Sequence, residues 1–521
     1  MTGSTGAGRG KNIVVFSDGT GQEGGVDANT NVYKLFQMIE RRSEHQVSFY
    51  DRGLGTTGTR KFLGKTCGYG ISYNILECYR FIYDTYNDGD RIFLFGFSRG
   101  ATTMRSLAGF IDLFGMLPQS RPELIEKAYE IYEIESRQER LRKADAFLQA
   151  NCSLWCDIHF IGVWDTVAAL GVPFTTLSLL LDKMPMFKHQ FHDLTLSRRV
   201  RHARHALAID DERKSFLPTL WSSEIQPHQT LKQVWFAGMH TDVGGGYVEQ
   251  NLSDIPFEWM AREAIREGLR ISARHEVESR PSERGVMHDS RNDSRLTRLF
   301  SKKARSWDRA DAPVVHESVR QRSRHAALGY TPWILDQKRF PGGPPIEEPE
   351  HNNAQCVTEA LEKLLGFMQT IAPGNIITDM PARIEALRRI RTEVDFELRC
   401  AHALCPRGEP EGKLEALDYQ ARAAKRRDRG AARGRLHEMS HGLVVSIDAL
   451  VNALGAHEIA WPKVTAIEAD IQARAMAMYG EYIDLLMNEG IGRTETEIKV
   501  SGQLRGYTIA WSAPERAPPN P

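Results

Sequence analysis

The stretch RIFLFGFSRGATTMRSLAGFI, residues 91–111, constrains the fold more than any other part of the chain. An apolar run ends at Gly96-Phe97-Ser98-Arg99-Gly100, and helical spacing begins at once, with Met104, Leu107, Ala108 and Ile111 on one face. A strand that turns into a helix through G-x-S-x-G needs its two outer glycines, because strand, helix and neighbouring chain crowd there. The central serine then stands at the start of the helix. The N–H groups of that first turn and the positive end of the helix dipole favour a developing oxyanion. Ser98 is therefore a candidate nucleophile and the Arg99 N–H a candidate oxyanion donor. The competing reading is a tight turn with a purely structural role.

Further apolar runs occupy residues 12–16 (NIVVF), 47–50 (VSFY), 157–164 (DIHFIGVW) and 231–239 (LKQVWFAGM). Between them, Ile75, Cys78, Tyr79, Ile82 and Tyr86 fall on one helical face of residues 71–86. Strands alternating with helices predict an α/β fold with a mostly parallel central sheet covered on both faces. At 521 residues the chain is too long for one core. Residues 1–340 are expected to form the catalytic domain, with a polar, Arg/Ser-rich insertion at 274–312. Residues 341–350 read as a Pro/Gly linker. Residues 351–495 carry helical stripes (Leu361, Leu364, Leu365, Met368; Leu387, Ile390, Val394, Leu398; Met476, Tyr479, Ile483, Leu486) and predict a mainly helical domain. Residues 496–521 read as short strands and a Pro-rich tail.

A serine hydroxyl needs a base, and the base needs an acid to orient it. In this strand–elbow–helix context the acid follows the serine and the histidine comes last. HFIGVWDTVAALG places Asp165 just past one strand, and VWFAGMHTDVGGGY places His240 just past another. The tips of buried parallel strands are where such sheets hold their chemistry. Taken singly, Asp165 could be a helix cap and His240 a loop histidine. Asp210, Asp211 and Asp242 are rival acids, and His288 is a rival base. The loop FSDGTGQ after the first strand offers Asp18 as a turn cap, or Gly19 and Thr20 as backbone donors to the oxyanion. Asp18, His240 and Asp242 together allow an alternative, a metal-dependent hydrolase. A non-catalytic binding scaffold is the third reading.

Other signals carry less. GLGTTG (53–58) has dinucleotide-loop spacing, but more glycines follow where a helix should open. TRKFLGKT (59–66) lacks the first glycine of a phosphate loop. His189/His192 and His202/His205 have metal-like spacing, but their Arg/Lys-rich surroundings read as a solvated helix. Residues 177–187 read as a core helix or a lipid-facing lid. The arginines of 422–435 read as an exposed loop between helices, or as a grip on anionic lipid headgroups or nucleic acid phosphates. Lys+Arg and Asp+Glu both number 67, so no nucleic acid partner is expected. Seven scattered cysteines read as mostly reduced. The polar start predicts no signal peptide, and no apolar run is long enough to span a bilayer. The protein is expected to be cytoplasmic as made, with no cofactor and no metal.

The motifs VVFSDGTGQ, YDRGLGTTG, FLFGFSRGATTMRSLAGFI, FIGVWDTVAALG, RHALAIDDERKSFLPTLW, VWFAGMHTDVGGGYVEQNLSDIPFEWM and HESVRQR occur in order over about residues 10–335. This set resembles a bacterial and fungal α/β-hydrolase family long labelled a domain of unknown function. Its best-known members are phospholipase effectors of type VI secretion systems. The resemblance implies a Ser98/Asp165/His240 esterase acting on phospholipid acyl esters, with Asp18 and Asp242 as further motif positions. It also implies a lipid-ester substrate, peripheral membrane contact, and the secretion adaptor or spike and the immunity partner of an antibacterial effector. Residues after 350 do not share it, so effector status is not carried over with the catalytic domain.

Overall fold

The computed structural model describes residues 10–19, 28–52, 66–167, 195–273, 275–289, 302–307, 309, 312–347, 353–370, 380–404, 419–456 and 459–488. Outside them lie Thr20, GLGTTG, residues 59–65, the apolar stretch 177–187, His189, His192 and the tail 496–521. The chain divides into two compact units, Met1–Arg270 with Pro281–Pro349, and Ile271–Arg280 with Glu350–Pro521.

The first unit is built on one eight-stranded sheet. Its strands are β1 (Asn12–Ser17), β2 (Gln46–Asp51), β3 (Arg91–Phe97), β4 (Ile158–Trp164), β5 (Val200–Ala208), β6 (Thr230–Phe236), β7 (Val314–His316) and β8 (Ile346–Glu347). Their order is β2-β1-β3-β4-β5-β6-β7-β8, and every neighbouring pair is parallel. Parallel neighbours require long crossovers, and among the described residues helices lie in those from β1 to β2, β2 to β3, β3 to β4, β6 to β7 and β7 to β8. These are α1 (Asn31–Met38), α2 (Thr66–Thr85), α3 (Arg99–Phe114), α4 (Leu124–Tyr132), α5 (Arg137–Ala150), the short α6 (His240–Gly244), α7 (Asp254–Arg266) and α8 (Glu317–Arg324). The fold is α/β, as expected. Two residues of the Pro/Gly stretch 341–350 are strand rather than linker. Ile346–Glu347 forms edge strand β8, and Glu347 pairs with Lys232 of β6.

The chain steps from β1 outward to β2, returns past β1 to β3, and then runs the other way. This reversal falls between β1 and β3, and the carboxyl ends of strands at such a switch are where parallel sheets bind ligands. The two sheet faces differ in chemistry. Ile13, Val15, Ile92, Leu94, Ile161 and Val163 form an aliphatic face in one core with α2 and α3 residues. Phe16, Phe93, Phe95, Phe160 and Trp164 alternate with them onto the other face. Phe16 and Phe95 stack there at 5.2 Å, and Phe95 and Phe160 approach to 5.5 Å. Gly162 lies in the same face because a Cβ would sit 2.6 Å from Met260 Sδ on α7.

β5 departs from the sequence reading. RHARHALA is an interior strand, not a solvated helix. Its polar residues are matched one by one: Arg204 pairs with Glu263 of α7, and His205 Nε2 accepts from Thr166 N–H at 3.1 Å. Paired charges on an interior strand hide the apolar alternation that marks strands in sequence.

His205 is fully buried, and burial pushes its pKa down to about 3. The folded protein therefore binds fewer protons there than the unfolded chain. The stability contributed is full above about pH 6.5 and is lost as pH falls. Asp18 and Asp210, raised to about 6 by burial, titrate in the opposite sense. A comparison with His205→Gln isolates the histidine. Urea denaturation should find wild type more stable than this variant at pH 7.5. The gap should shrink by about 2 kcal/mol by pH 5, at about 1.4 kcal/mol per unit below 6.5. A constant gap would contradict the assignment.

The described residues of the second unit form four helices, α9 (Asn353–Thr370), α10 (Met380–Leu404), α11 (Tyr419–Leu454) and α12 (Trp461–Asn488). Leu361, Leu364, Leu387, Val394, Leu443, Ile447, Leu450, Val464 and Ile471 form its core. Arg391 of α10 makes a bidentate pair with Asp448 of α11. The basic stretch 422–435 lies within α11 rather than in a loop. Among the described residues, no helix is long and apolar enough to cross a membrane.

Candidate active site

Because all strands are parallel, the segments after β1, β3, β4, β5 and β6 emerge on one edge of the sheet. They carry Asp18, Ser98, Asp165, Asp211 and His240 respectively. Ser98 is the N-cap of α3, with φ 57° and ψ −118°. Asp165 has φ 40°. Among the described residues these are the two non-glycine positions with positive φ. Each such conformation costs about 1–3 kcal/mol and persists only when its surroundings enforce it.

The glycines of the elbow explain how. A Cβ on Gly100 would lie 2.0 Å from Ser17 O at the end of β1, and one on Gly96 would lie 2.5 Å from Gly100 O. The start of α3 is thus pressed against two strand ends. The Ser98 N–H donates to Trp164 O at 3.1 Å, which ties the elbow to the residue before Asp165.

His240 comes to the same rim on α6. A Cβ on Gly244 would lie 2.0 Å from the Phe97 ring, so the glycine run lets α6 settle onto the residue before Ser98. The Phe97 and His240 rings are 4.6 Å apart, and Phe216 meets His240 edge-on at 5.0 Å. His240 Nδ1 lies 2.6 Å from Asp165 Oδ2. Asp165 is fully buried, and its Oδ1 also accepts from Ala208 N–H at 3.0 Å. Burial would raise the Asp165 carboxyl, but the charge and hydrogen bonds of Arg305, then those of His240, hold it well below the usual range. Burial lowers the His240 pKa, opposed by the hydrogen bond and charge of Asp165. A neutral imidazole held at Nδ1 by a carboxylate presents Nε2 as a base.

The rival acids are committed elsewhere. Asp211 Oδ2 accepts the His240 backbone N–H at 3.2 Å and is paired with Arg213. Asp210 accepts from Gly238 N–H and the Tyr330 hydroxyl. Asp242 accepts Met239 N–H at 3.0 Å, bracing the turn into α6, and its Oδ1 lies 2.7 Å from His288 Nδ1. His288 therefore belongs to a separate pair, stacked on Tyr247 at 3.7 Å.

Asp18 is buried beside the elbow. Its carboxylate takes the Gly19 N–H at 2.8 Å, the Thr30 hydroxyl and the Tyr50 hydroxyl at 2.8 Å. The Gly19 N–H, expected from sequence as an oxyanion donor, points to the Asp18 carboxylate. Gly19 also packs on the Ser98 elbow, where a Cβ would lie 3.6 Å from Ser98 Cβ.

Asp18, His240 and Asp242 do not share one ligand set, because each faces different partners. The three-residue group of potential metal ligands found among the described residues is His159, His202 and Glu267, at the opposite edge of the sheet. His202 Nε2 there pairs with Glu267 at 3.2 Å, and His159 Nε2 meets Glu267 O at 2.9 Å. Burial, then neighbouring arginines that include Arg201, lowers both imidazole pKa values. Those guanidinium charges would oppose a divalent cation, so we read the cluster as an ion-paired corner. The sequence reading missed Arg305, Thr30 and Tyr50.

Residues 11–263 match the family described as type VI secretion system (T6SS), phospholipase effector Tle1-like, catalytic domain. The matched residues contain the elbow, the His240–Asp165 pair and Asp18. A curated relative, the uncharacterized protein YEL023C of Saccharomyces cerevisiae, is 29% identical over 231 residues. That match covers 40% of this chain and 32% of the relative, so the chain spans about a third of the yeast protein's length. An uncharacterized protein from Pseudomonas aeruginosa of known crystal structure aligns over 94% of this chain and 76% of its own, with 14% identity and a TM-score of 0.35. The metagenomic carboxyl esterase MGS0156 aligns over 50% of this chain and 76% of its own, with 11% identity and a TM-score of 0.26.

Proposed function

We propose that the Tle1-like region is a serine esterase that cleaves acyl esters of glycerophospholipids. The observation that supports this most is the His240–Asp165 pair at 2.6 Å, standing at the rim where Ser98 is held at positive φ. His240 Nε2 takes the proton of Ser98 as its oxygen attacks the acyl carbonyl. Asp165 keeps the imidazole in the tautomer that leaves Nε2 unprotonated and stabilises the imidazolium that forms. The Arg99 N–H at the head of α3 steadies the oxyanion. Collapse of the tetrahedral intermediate expels the alcohol, protonated by His240. Water, activated by the same imidazole, then releases the fatty acid and restores Ser98. No cofactor enters these steps.

The lipid substrate rests on the family's description, as does the wider role of a membrane-degrading effector. Lipid profiling of phosphatidylethanolamine/phosphatidylglycerol vesicles exposed to the full chain tests the reaction. Fatty acid and lysophospholipid should accumulate, undiminished by a chelator. His240→Ala should lower the rate by a factor on the order of 10³ or more. Intact lipids, or activity that a chelator removes, would overturn the proposal.

A further inference from the structure

Arg305 lies in the segment that reads from sequence as a polar insertion, yet its side chain is wholly buried. The backbone around it is a strap laid across the β5–β6 connection. Lys302 bridges Arg213 in antiparallel fashion, Lys303 N–H donates to Glu212 O at 2.8 Å, and Trp307 packs edge-on against Trp235 of β6. From this strap the guanidinium grips Asp165 with both arms, Nη1 to Oδ1 at 2.6 Å and Nη2 to Oδ2 at 2.8 Å. The same two nitrogens donate to Ala208 O and Phe216 O, each at 2.6 Å. Asp165 Oδ2 is thus shared between Arg305 and His240 Nδ1.

We propose that Arg305 is a positioning residue that fixes the Asp165 carboxylate and weakens the basicity of His240. The proposal rests on the triad reading above. A bidentate guanidinium admits a single orientation of the carboxylate, the one that aims Oδ2 at His240. It also draws off part of the negative charge that would otherwise stabilise an imidazolium, and its own charge repels one. His240 therefore stays neutral, and able to accept the Ser98 proton, to lower pH than an Asp–His pair alone would allow. The other charged groups around His240 nearly balance. Asp211 holds its backbone N–H, Arg213 neutralises Asp211, Asp210 is taken by Gly238 and Tyr330, and Asp242 faces His288. The guanidinium offsets the charge of Asp165 as well, so little net negative charge is left beside His240.

The test is the pH dependence of kcat/KM of the full chain on a soluble short-chain ester. Wild type, Arg305→Met, Arg305→Gln and Arg305→Lys are compared, with circular dichroism checking the fold of each. The neutral variants should move the acid limb up by about one unit. Arg305→Lys, which keeps the charge but loses the fork, should leave the limb near wild type while kcat falls. Arg305→Gln, which can still donate to Asp165, carries the test if Arg305→Met does not fold. A folded neutral variant with an unmoved limb would overturn the proposal and reduce Arg305 to a structural staple. Ser98→Ala separates the two layers. If it remains active, the triad reading falls; if it is dead and the limb is unmoved, only the Arg305 proposal falls.

Discussion

Ser98→Gly should abolish ester hydrolysis while raising the melting temperature of the protein. The two effects have one origin. Ser98 occupies φ 57°, ψ −118°, a conformation that is strained for an L-residue and easy for glycine. Removing the side chain relieves strain worth about 1 kcal/mol, a rise of about 1–3 °C for a domain of this size. The same change deletes the hydroxyl on which the proposed chemistry depends. A loss of at least about 10⁴ in kcat is expected, since removal of a triad member leaves only background catalysis from the oxyanion site. Stability and activity then move in opposite directions, as at sites where strain serves function. If the elbow were only a tight turn, the variant would gain stability and keep its activity. Scanning calorimetry and an ester assay on one preparation separate the two outcomes.

Gly100→Ala should do the opposite to the fold. Its Cβ would lie 2.0 Å from Ser17 O and 2.4 Å from Ser17 C, both backbone atoms of a buried central strand. Neither atom can swing aside as a flexible side chain would, so α3 must lift from the sheet. We expect a loss of about 3 kcal/mol or more, in the range of severe overpacking, together with loss of activity. Gly366→Ala is the control. Apart from the backbone of its own helix and its chain neighbours, nothing lies within 4 Å of its Cβ; it sits inside α9, and alanine there should be neutral or stabilising by up to about 1 kcal/mol. Equal, small effects at both positions would mean that the elbow is not packed as described.

What could be read from sequence follows from how local each signal is. The strand–elbow–helix at 91–111 is contiguous, so NIVVF, RIFLF and the helix after Ser98 were legible without any partner. Asp165 and His240 were legible as polar residues at the tips of apolar runs. β5 was not, because partners of Arg204 and His205 such as Glu263 and Thr166 are distant or unremarkable in sequence. Arg305 was not legible for the same reason: its carboxylate partner lies 140 residues earlier. The contact of the Gly19 N–H with Asp18 was not legible, because sequence does not say which acceptor a backbone N–H meets.

The most direct measurement is covalent. The full chain is incubated with an alkyl fluorophosphonate, and the adduct is located by tandem mass spectrometry. The account predicts one stoichiometric adduct on Ser98, formed in step with loss of ester hydrolysis and absent when His240 is replaced by alanine. Hydrolysis that survives complete labelling of Ser98, or inactivation with the adduct on another residue, would contradict it.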